Sequence, residues 1–288
     1  MIDPYFQLIL LRCGVAAIMA VSLNLINGFT GQFSLGHAGF MAIGAYVSAA
    51  VSVFLAPHAG EFVTQVWFLI ALLSGGIAAG LMGLLVGLPT LRLRGDYLAI
   101  ATLGFAVIIR VVILNLDVVG GARGMTDIPE LSNGYWIFGT LAITVWIINN
   151  LVYSIKGYAL TAISEDEIAT ASIGISTTKY KVMAFVVGAF FAGIGGGLYA
   201  HLESYLNTNS FTFLRSFEFV AMVVLGGMGS ITGSIVAAFI LTILPEALRG
   251  FDQYRMIIYS LMLIVLMLTR PTGIFGRREL WRWNRGKT

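Results

Sequence analysis

The stretch GFTGQFSLGH, residues 28–37, decides how the first part of this chain folds. It interrupts a long run, from Cys13 to Gly60, that contains no Asp, Glu, Lys or Arg. Such a run is too long for one membrane-spanning helix, which needs roughly 20 apolar residues. The glycines and polar residues of the stretch therefore predict two spans, near 8–27 and 37–56, separated by a break. Its candidate pathway residues are Gly31, Gln32, Ser34 and His37, of which Ser34 is more simply explained as a helix cap.

The composition indicates that much of the chain is surrounded by lipid. Of its 288 residues, 58% are hydrophobic and 11% are charged, and the mean hydropathy is +0.89. That is more apolar surface than one globular core can bury, so we predict an integral membrane protein. The single cysteine, Cys13, cannot form an internal disulfide and is interpreted as a small packing residue. The first apolar run lacks the features of a signal peptide and is expected to be retained.

Apolar runs of spanning length follow along the rest of the chain. Three of them lack acidic and basic residues: Phe62 to Leu91, Leu131 to Ile155 and Val182 to Leu202. Two weaker candidates are Tyr97 to Leu116, which contains Arg110, and Met256 to Thr269, which is short. Phe219 to Pro245 is long and is broken at GGMGS, residues 226–230. We predict an all-α fold, one polytopic transmembrane domain over residues 1–288 with about 8 spans, some broken or re-entrant.

Lysines and arginines indicate which ends of the spans face the cytoplasm. Six of the 17 lie between Arg270 and Lys287, so the basic tail, about 271–288, is expected to be cytoplasmic. The net charge of +3 is therefore interpreted as topology, and nucleic acid is not expected as a partner. Other basic residues mark two further cytoplasmic loops: Arg92, Arg94, Lys156, Lys179 and Lys181.

The break at residues 226–230 has a consequence for this orientation. One continuous helix over Phe219 to Pro245 would leave the basic tail outside, whereas two shorter helices return it to the cytoplasm. The alternative is a single helix with a kink. Paired breaks in the two halves of a chain are typical of transporters whose pathway lies at the breaks. The candidate pathway residues of this second break are Gly226, Gly227, Gly229 and Ser230.

A second unusual stretch, GYALTAISEDEIATASIGI at residues 157–175, places three consecutive acids between apolar runs. Ser164 and Glu167 match a capping box and Gly174 can provide a left-handed stop, so we predict a short helix at about 165–173. A helix this short needs a partner surface, and its small residues favour close docking. The alternative is a solvated acidic loop. The candidate docking residues are Gly157, Ser164, Glu165, Asp166, Glu167, Ile168, Ala169 and Gly174.

Several motifs together resemble the LivM-type permeases of branched-chain amino acid ABC importers, in that family's order and over nearly the whole chain. They are GFTGQFSLGHAGFMAIGAY (28–46), LRLRGDYLAIATLGF (91–105), Asn115 followed by GGARG, the stretch 157–175, and FVAMVVLGGMGSITGS (219–234). In that family the segment matching 157–175 is the cytoplasmic coupling helix, which contacts an ATPase subunit.

The resemblance implies one subunit of a larger transporter in the bacterial inner membrane. The expected partners are a homologous second permease, two cytoplasmic ATPases and a periplasmic protein that delivers branched-chain or other hydrophobic amino acids. The chain contains no G-x-x-x-x-G-K-[ST] phosphate loop, so ATP and magnesium are expected on the partner ATPases. No cofactor is expected in this chain.

Two positions depart from the family pattern. Val107 stands where the family has Glu, and Ser164 stands where it has Arg. An acid at position 107 would lie one turn before Arg110 and could pair with it. Arg110 is therefore expected to bind Asp117 or to extend towards a lipid headgroup.

Other functional classes receive less support from the sequence. The three histidines are far apart, so neither a metal site nor a catalytic centre is predicted, and His201 with Glu203 is interpreted as interfacial. Urea, short amides or sugars are alternative substrates, since related permeases carry them. An ion-coupled secondary transporter would be expected to carry acids deep within its spans. A membrane-embedded enzyme is the least supported alternative.

Overall fold

The computed structural model describes residues 4–55, 60–90, 93 and 95–248, and after them only positions 261, 264, 269, 273–276 and 279. Over these residues the chain forms ten α-helices. They are α1 (Pro4–Asn24), α2 (His37–Phe54), α3 (Glu61–Thr90), α4 (Asp96–Leu114), α5 (Gly134–Val152), α6 (Ile155–Glu165), α7 (Glu167–Ser172), α8 (Thr177–Glu203), α9 (Phe213–Gly226) and α10 (Ile231–Ala247).

The prediction of an all-α membrane bundle is confirmed. Six helices are long and apolar enough to cross a membrane, namely α1 with its extension to Phe29, α2, α3, α4, α5 and α8. Shorter helical turns follow some of them: a π-helix at Leu25–Phe29 and 3₁₀ turns at Asp117–Val119, Gly121–Arg123 and Thr208–Phe211. The predicted span at 256–269 and the basic tail at 271–288 lie largely outside the described residues, as do Arg92 and Arg94.

Helices α1 and α8 form the centre of the bundle. Every residue of α1 from Cys13 to Asn24 is buried, on all sides of the helix. Helix α8 packs against α1, α2 and α3. Helices α4 and α5 lie at the periphery. Only 33% of the most apolar 18-residue stretch of α4, and 22% of that of α5, is buried inside the protein. Their exposed apolar side chains form the surface expected to contact lipid.

Glycines let the central helices approach until their backbones touch. A Cβ at Gly44 of α2 would lie 2.1 Å from the carbonyl oxygen of Gly193 in α8. A Cβ at Gly196 would lie equally close to the carbonyl oxygen of Met41, and one at Gly75 of α3 would lie 2.6 Å from that of Gly44. Small residues at helix contacts are the usual basis of packing in membranes, because lipid supplies no hydrophobic force between helices. The three helices therefore form a tightly packed block.

Helices α9 and α10 form the predicted broken pair. Helix α9 ends at Gly226 and α10 begins at Ile231, so the alternative of a single kinked helix is wrong. Gly227 and Gly229, with φ of 112° and 88°, adopt backbone conformations that other residues rarely reach. The two helices then run side by side, and residues from the start of α9 and the end of α10 line one cavity.

The end of the bundle opposite α6 and α7, called here the far end, contains Arg12, Arg110, His201 and Glu203. Arg110 donates from Nη2 to Asn209 Oδ1 at 2.8 Å, so the expected contact with Asp117 is wrong. Arg12, in the first half of α1, donates two hydrogen bonds to the Glu203 carboxylate, at 2.8 and 2.9 Å. His201 is fully buried and bonded to Ser52 and to the Gly197 carbonyl, so its interpretation as interfacial is also wrong.

The tight packing of α2 on α8 predicts opposite effects for two glycine substitutions. Gly196→Ala should lower the melting temperature, because the new methyl group meets the Met41 backbone, and overpacking costs about 1–3 kcal/mol. Gly104→Ala should leave it unchanged or raise it, because a Cβ there meets nothing within 4 Å and Ala is the better helix former by about 0.5–1 kcal/mol. Thermal unfolding of both variants in detergent tests this. Equal shifts in the same direction would contradict the packing described.

Candidate coupling and translocation site

The first break is held in shape by buried amides. After the π-helix, residues 30–36 run without regular structure to the start of α2. The Asn27 side chain closes this loop, because its Oδ1 accepts from the Ser34 amide at 3.1 Å and its Nδ2 donates to the Ser34 carbonyl at 3.3 Å. The Gln32 amide donates to the Ile26 carbonyl at 3.2 Å. The loop is therefore a fixed element of the fold.

The two breaks contact each other through Asn24, the last residue of α1. Its Nδ2 donates to the carbonyl of Ser230 at 2.8 Å, and its Oδ1 accepts from the amide of Gly229 at 2.9 Å. A Cβ at Gly28 would lie 2.3 Å from the Gly229 nitrogen, so only glycine permits this approach. The candidate pathway residues of the two breaks thus belong to one region of the molecule, at which chain segments about 200 residues apart meet.

The N-terminus of α2 is capped differently from the prediction. Ser34 does not cap the helix: its hydroxyl accepts from the Gly36 amide at a long 3.4 Å, within the loop itself. The amide of Ala38 instead donates to the Ser216 hydroxyl of α9, at 3.2 Å. His37 is buried and its Nε2 lies 2.8 Å from the Ser22 hydroxyl of α1. Ser216 therefore ties α2 to α9, and His37 ties α2 to α1.

The N-terminus of α10 has two caps. The Ser230 hydroxyl accepts from the Gly233 amide at 3.1 Å. The carboxylate of Glu279, from the C-terminal part of the chain, accepts from the amides of Ile231 and Thr232 at 2.5 and 3.2 Å. A carboxylate at a helix N-terminus is favoured by the helix dipole. Ser230 thus has a capping role, and the proposed pathway role of this break stays a prediction.

The predicted coupling segment forms two helices, α6 and α7, with a break at Asp166. The helix after the break is shorter than expected, because it covers 167–172 and not 165–173. Ser164 is not its cap, since its hydroxyl donates to the Thr161 carbonyl within the last turn of α6. Asp166 is the cap: its Oδ1 accepts from the amides of Ile168 and Ala169 at 2.8 and 3.0 Å. Gly174 is left-handed as predicted, with φ of 88°.

Gly157 fixes the position of α6 against the preceding span. A Cβ at this residue would lie 1.8 Å from the carbonyl oxygen of Val152, the last residue of α5. Ser154 caps α6 by accepting from the Gly157 amide at 3.4 Å. The chain therefore turns sharply from α5 into α6, and this turn depends on the missing side chain at position 157.

Apolar side chains of the coupling segment point away from the rest of the protein. Ile168 is 69% exposed and Ile173 is 73% exposed, while Thr170 on the opposite side of α7 is buried. Tyr158 of α6 is also largely exposed. Ile173 and Tyr158 are not among the docking residues predicted from the sequence. Exposed apolar residues outside the spans are typical of a surface that another protein covers.

The coupling segment and the first break are in contact. A Cβ at Gly31 would lie 3.2 Å from both Cα and Cβ of Ser164, the residue two before the Asp166 cap. A cavity of about 180 Å³ lies beside this contact, and its lining includes Gln32, Ile163, Glu167 and Lys181. The Lys181 ammonium lies 2.7 Å from the Glu167 carboxylate and ties α7 to α8. The side-chain amide of Gln32 is buried, and its Nε2 and Oε1 have no hydrogen-bond partner in the described part of the chain.

Sequence reasoning missed several residues that organise this region. Asn24 joins the two breaks, and Asn27 closes the first of them. Ser216 caps α2, and the Thr102 hydroxyl accepts from the Leu35 amide at 3.1 Å. The available signal was an amide or hydroxyl side chain within an otherwise apolar span, which is costly unless it is bonded. Across the residues that the structure describes, no three His, Cys, Asp or Glu side chains are grouped to hold a metal ion.

The cap at α7 predicts different effects for two neighbouring substitutions. Asp166→Ala should speed hydrogen exchange of the Ile168 and Ala169 amides by about fivefold, because losing a cap costs about 1 kcal/mol. Ser164→Ala should leave these amides unchanged, since its hydroxyl bonds only within α6. Hydrogen–deuterium exchange of the purified chain measures both. Faster exchange in Ser164→Ala alone would restore the capping box that the sequence suggested.

Comparison with known proteins agrees with this architecture. Residues 5–268 match the family described as "Branched-chain amino acid transport system / permease component". The chain is 35% identical to the high-affinity branched-chain amino acid transport system permease protein LivM of Salmonella typhimurium, over 89% of this chain and 67% of that protein.

The LivM protein of Escherichia coli gives the same identity and coverage. LivH of Salmonella typhimurium is 26% identical, over 92% of each chain. No solved structure matches the chain. Because the family match covers nearly the whole sequence, the chain belongs to the permease component family of branched-chain amino acid transport systems.

Proposed function

We propose that this chain is one membrane-spanning subunit of an ATP-binding-cassette importer for branched-chain or other hydrophobic amino acids. It would form the translocation pathway together with a second, homologous permease in the bacterial inner membrane. The LivM and LivH proteins that it resembles are both named as permeases of high-affinity branched-chain amino acid transport systems. That pair of relatives supports a partner permease and this class of substrate.

The observation that carries the proposal is the contact between Gly31 and Ser164. It joins a helix break to the segment whose apolar side chains, Ile168 among them, are exposed outside the spans. Movement of α6 and α7 would therefore act directly on the loop at 30–36. That loop connects the end of α1 to the start of α2. Asn24, at the end of α1, contacts the second break, which joins α9 to α10.

Two ATPase subunits would supply the movement. They would bind ATP and magnesium, close around the nucleotide and displace α6 and α7 with them. Coupling requires that the ATPase contact the permease differently in two states, since a ligand shifts an equilibrium only by its differential affinity. A periplasmic binding protein would deliver the amino acid at the far end of the bundle.

Replacing Ile168 and Ala169 together with Lys should abolish transport without unfolding the permease. Both side chains are exposed, so the folded chain tolerates the charges, but a docked ATPase would bury them. Uptake of radiolabelled leucine should fall by about tenfold or more in a strain that expresses only the variant. Uptake of radiolabelled urea by the unmodified chain is measured in parallel to compare the two substrates. The ATPases should no longer co-purify with the permease.

The matched control is the uncharged double variant Ile168→Leu with Ala169→Ser, which changes the same two exposed positions without adding charge and should leave leucine uptake intact. Normal uptake by the Ile168/Ala169 double variant would refute the docking role. Uptake of urea but not of leucine by the unmodified chain would refute the substrate.

A disulfide between positions 31 and 164 should stop transport reversibly. A Cβ at Gly31 would lie 3.2 Å from the Ser164 Cβ, close to the separation of about 3.5–4.5 Å that a disulfide needs, and a cysteine at position 31 has to adopt the left-handed backbone of Gly31, with φ of 66°. Gly31→Cys with Ser164→Cys, in a Cys13→Ala background, should lose leucine uptake on oxidation and regain it in dithiothreitol. Each single cysteine variant is the control. Full uptake by the cross-linked protein would show that this contact does not need to move.

A further inference from the structure

A cavity of about 380 Å³ lies at the far end of the bundle, remote from the coupling segment. Helices α1, α2, α8, α9 and α10 contribute to its walls. Its volume falls within the range of about 300–1,000 Å³ that is typical of small-molecule sites. None of its lining residues belongs to the coupling segment or to the two breaks.

Arg215 of α9 is a guanidinium held in place at this cavity. Its Nη1 donates to the Glu218 carboxylate at 2.9 Å. The guanidinium carbon lies 5.9 Å from the ring centre of Tyr199 and 5.7 Å from that of Phe219, a distance at which cation–π attraction orients the group. A guanidinium has five N–H donors in a planar fork suited to carboxylates, and the bond to Glu218 uses one of them.

A second ion pair, Arg12 with Glu203, forms another part of the wall. The cavity therefore presents both signs of charge. The Thr242 hydroxyl of the same wall is buried without a hydrogen-bond partner among the residues that the structure describes.

A third carboxylate, that of Glu246, also lines the cavity, and most of the other walls are apolar. They are formed by aliphatic and thioether side chains, chiefly Val15, Met41, Met222 and Leu241. A ligand that fits must therefore combine a positive and a negative group with an apolar body. A ligand with a single charge can bond only to the guanidinium groups or only to the carboxylates, and a neutral hydrocarbon can bond to neither.

We propose that this cavity binds a zwitterionic α-amino acid with an aliphatic side chain, its carboxylate on Arg215 and its ammonium group on Glu218. The assignment rests on the function proposed above and adds to it a site within the permease itself. Arg12 and Glu203 complete the charged rim, and the apolar walls receive the side chain. The site lies where an amino acid released at the far end would enter.

Direct binding to the purified full-length chain in lipid nanodiscs tests this site. Radiolabelled leucine should bind, and unlabelled leucine should compete. 4-Methylpentanoate, which lacks the ammonium group, and 3-methylbutylamine, which lacks the carboxylate, should each compete about tenfold or more weakly, because each forfeits one charge-assisted contact. Phosphoethanolamine tests the lipid headgroup as a source of the same charges and should not compete.

Two variants that each remove one charge locate the site. Arg215→Gln and Glu218→Gln should each weaken leucine binding by about tenfold or more. Arg123→Gln, which removes an exposed guanidinium at the same end of the bundle, is the control and should bind leucine normally. Gel filtration checks that each variant is folded. If one of the two cavity variants does not fold, leucine binding by the other decides the result.

Failure of leucine to bind, equal competition by the two single-charge analogues, competition by phosphoethanolamine, or normal binding by both cavity variants would overturn the assignment. If leucine uptake in cells still depends on the chain in any of these cases, the proposed function survives and the cavity assignment alone falls. If leucine uptake does not depend on the chain, the proposed function falls and the cavity assignment falls with it.

Discussion

Backbone groups that leave a helix within a membrane must find partners in the protein, because lipid offers none. Asn24 meets this requirement for the second break, where its side chain bonds the Ser230 carbonyl and the Gly229 amide. Asn27 does the same for the first break, at Ser34. Without these two amides the chain would leave at least four main-chain groups unpaired, each costing about 1–3 kcal/mol. The second break therefore depends on the end of α1, whereas the first break is satisfied by an amide of its own segment.

This pairing places the rest of the site. Once α1 ends beside residues 229–230, the loop at 30–36 is carried to the end of the bundle where α6 and α7 lie, and Gly31 meets Ser164. The ion pair of Glu167 with Lys181 then links α7 to the central helix α8. At the opposite end, α9 and α10 diverge from the core enough to leave the charged cavity around Arg215. The coupling segment and the charged cavity thus lie at opposite ends of the same packed helices.

Much of this architecture follows from the distribution of charge. Runs without Asp, Glu, Lys or Arg located the described spans, and the requirement that the basic tail face the cytoplasm predicted two helices where hydropathy alone allows one. Long-range partners did not follow, because nothing in the sequence near Asn24 or Arg110 identifies Ser230 or Asn209. The cap of α7 was misplaced by two residues, since Ser164 and Asp166 are both good caps and only the backbone at 166, which is extended, selects between them.

The contact of bare backbones at Gly44, Gly193 and Gly196 has a mechanical consequence. Helices that interlock without intervening side chains have no layer of rotamers to rearrange, so sliding or tilting one against the other means direct collision of main-chain atoms. Helices α2, α3 and α8 must then keep fixed positions relative to one another. Any change of shape during a transport cycle has to be taken up by the helices packed around these three, among them the α9–α10 pair, which is joined through Gly227 and Gly229.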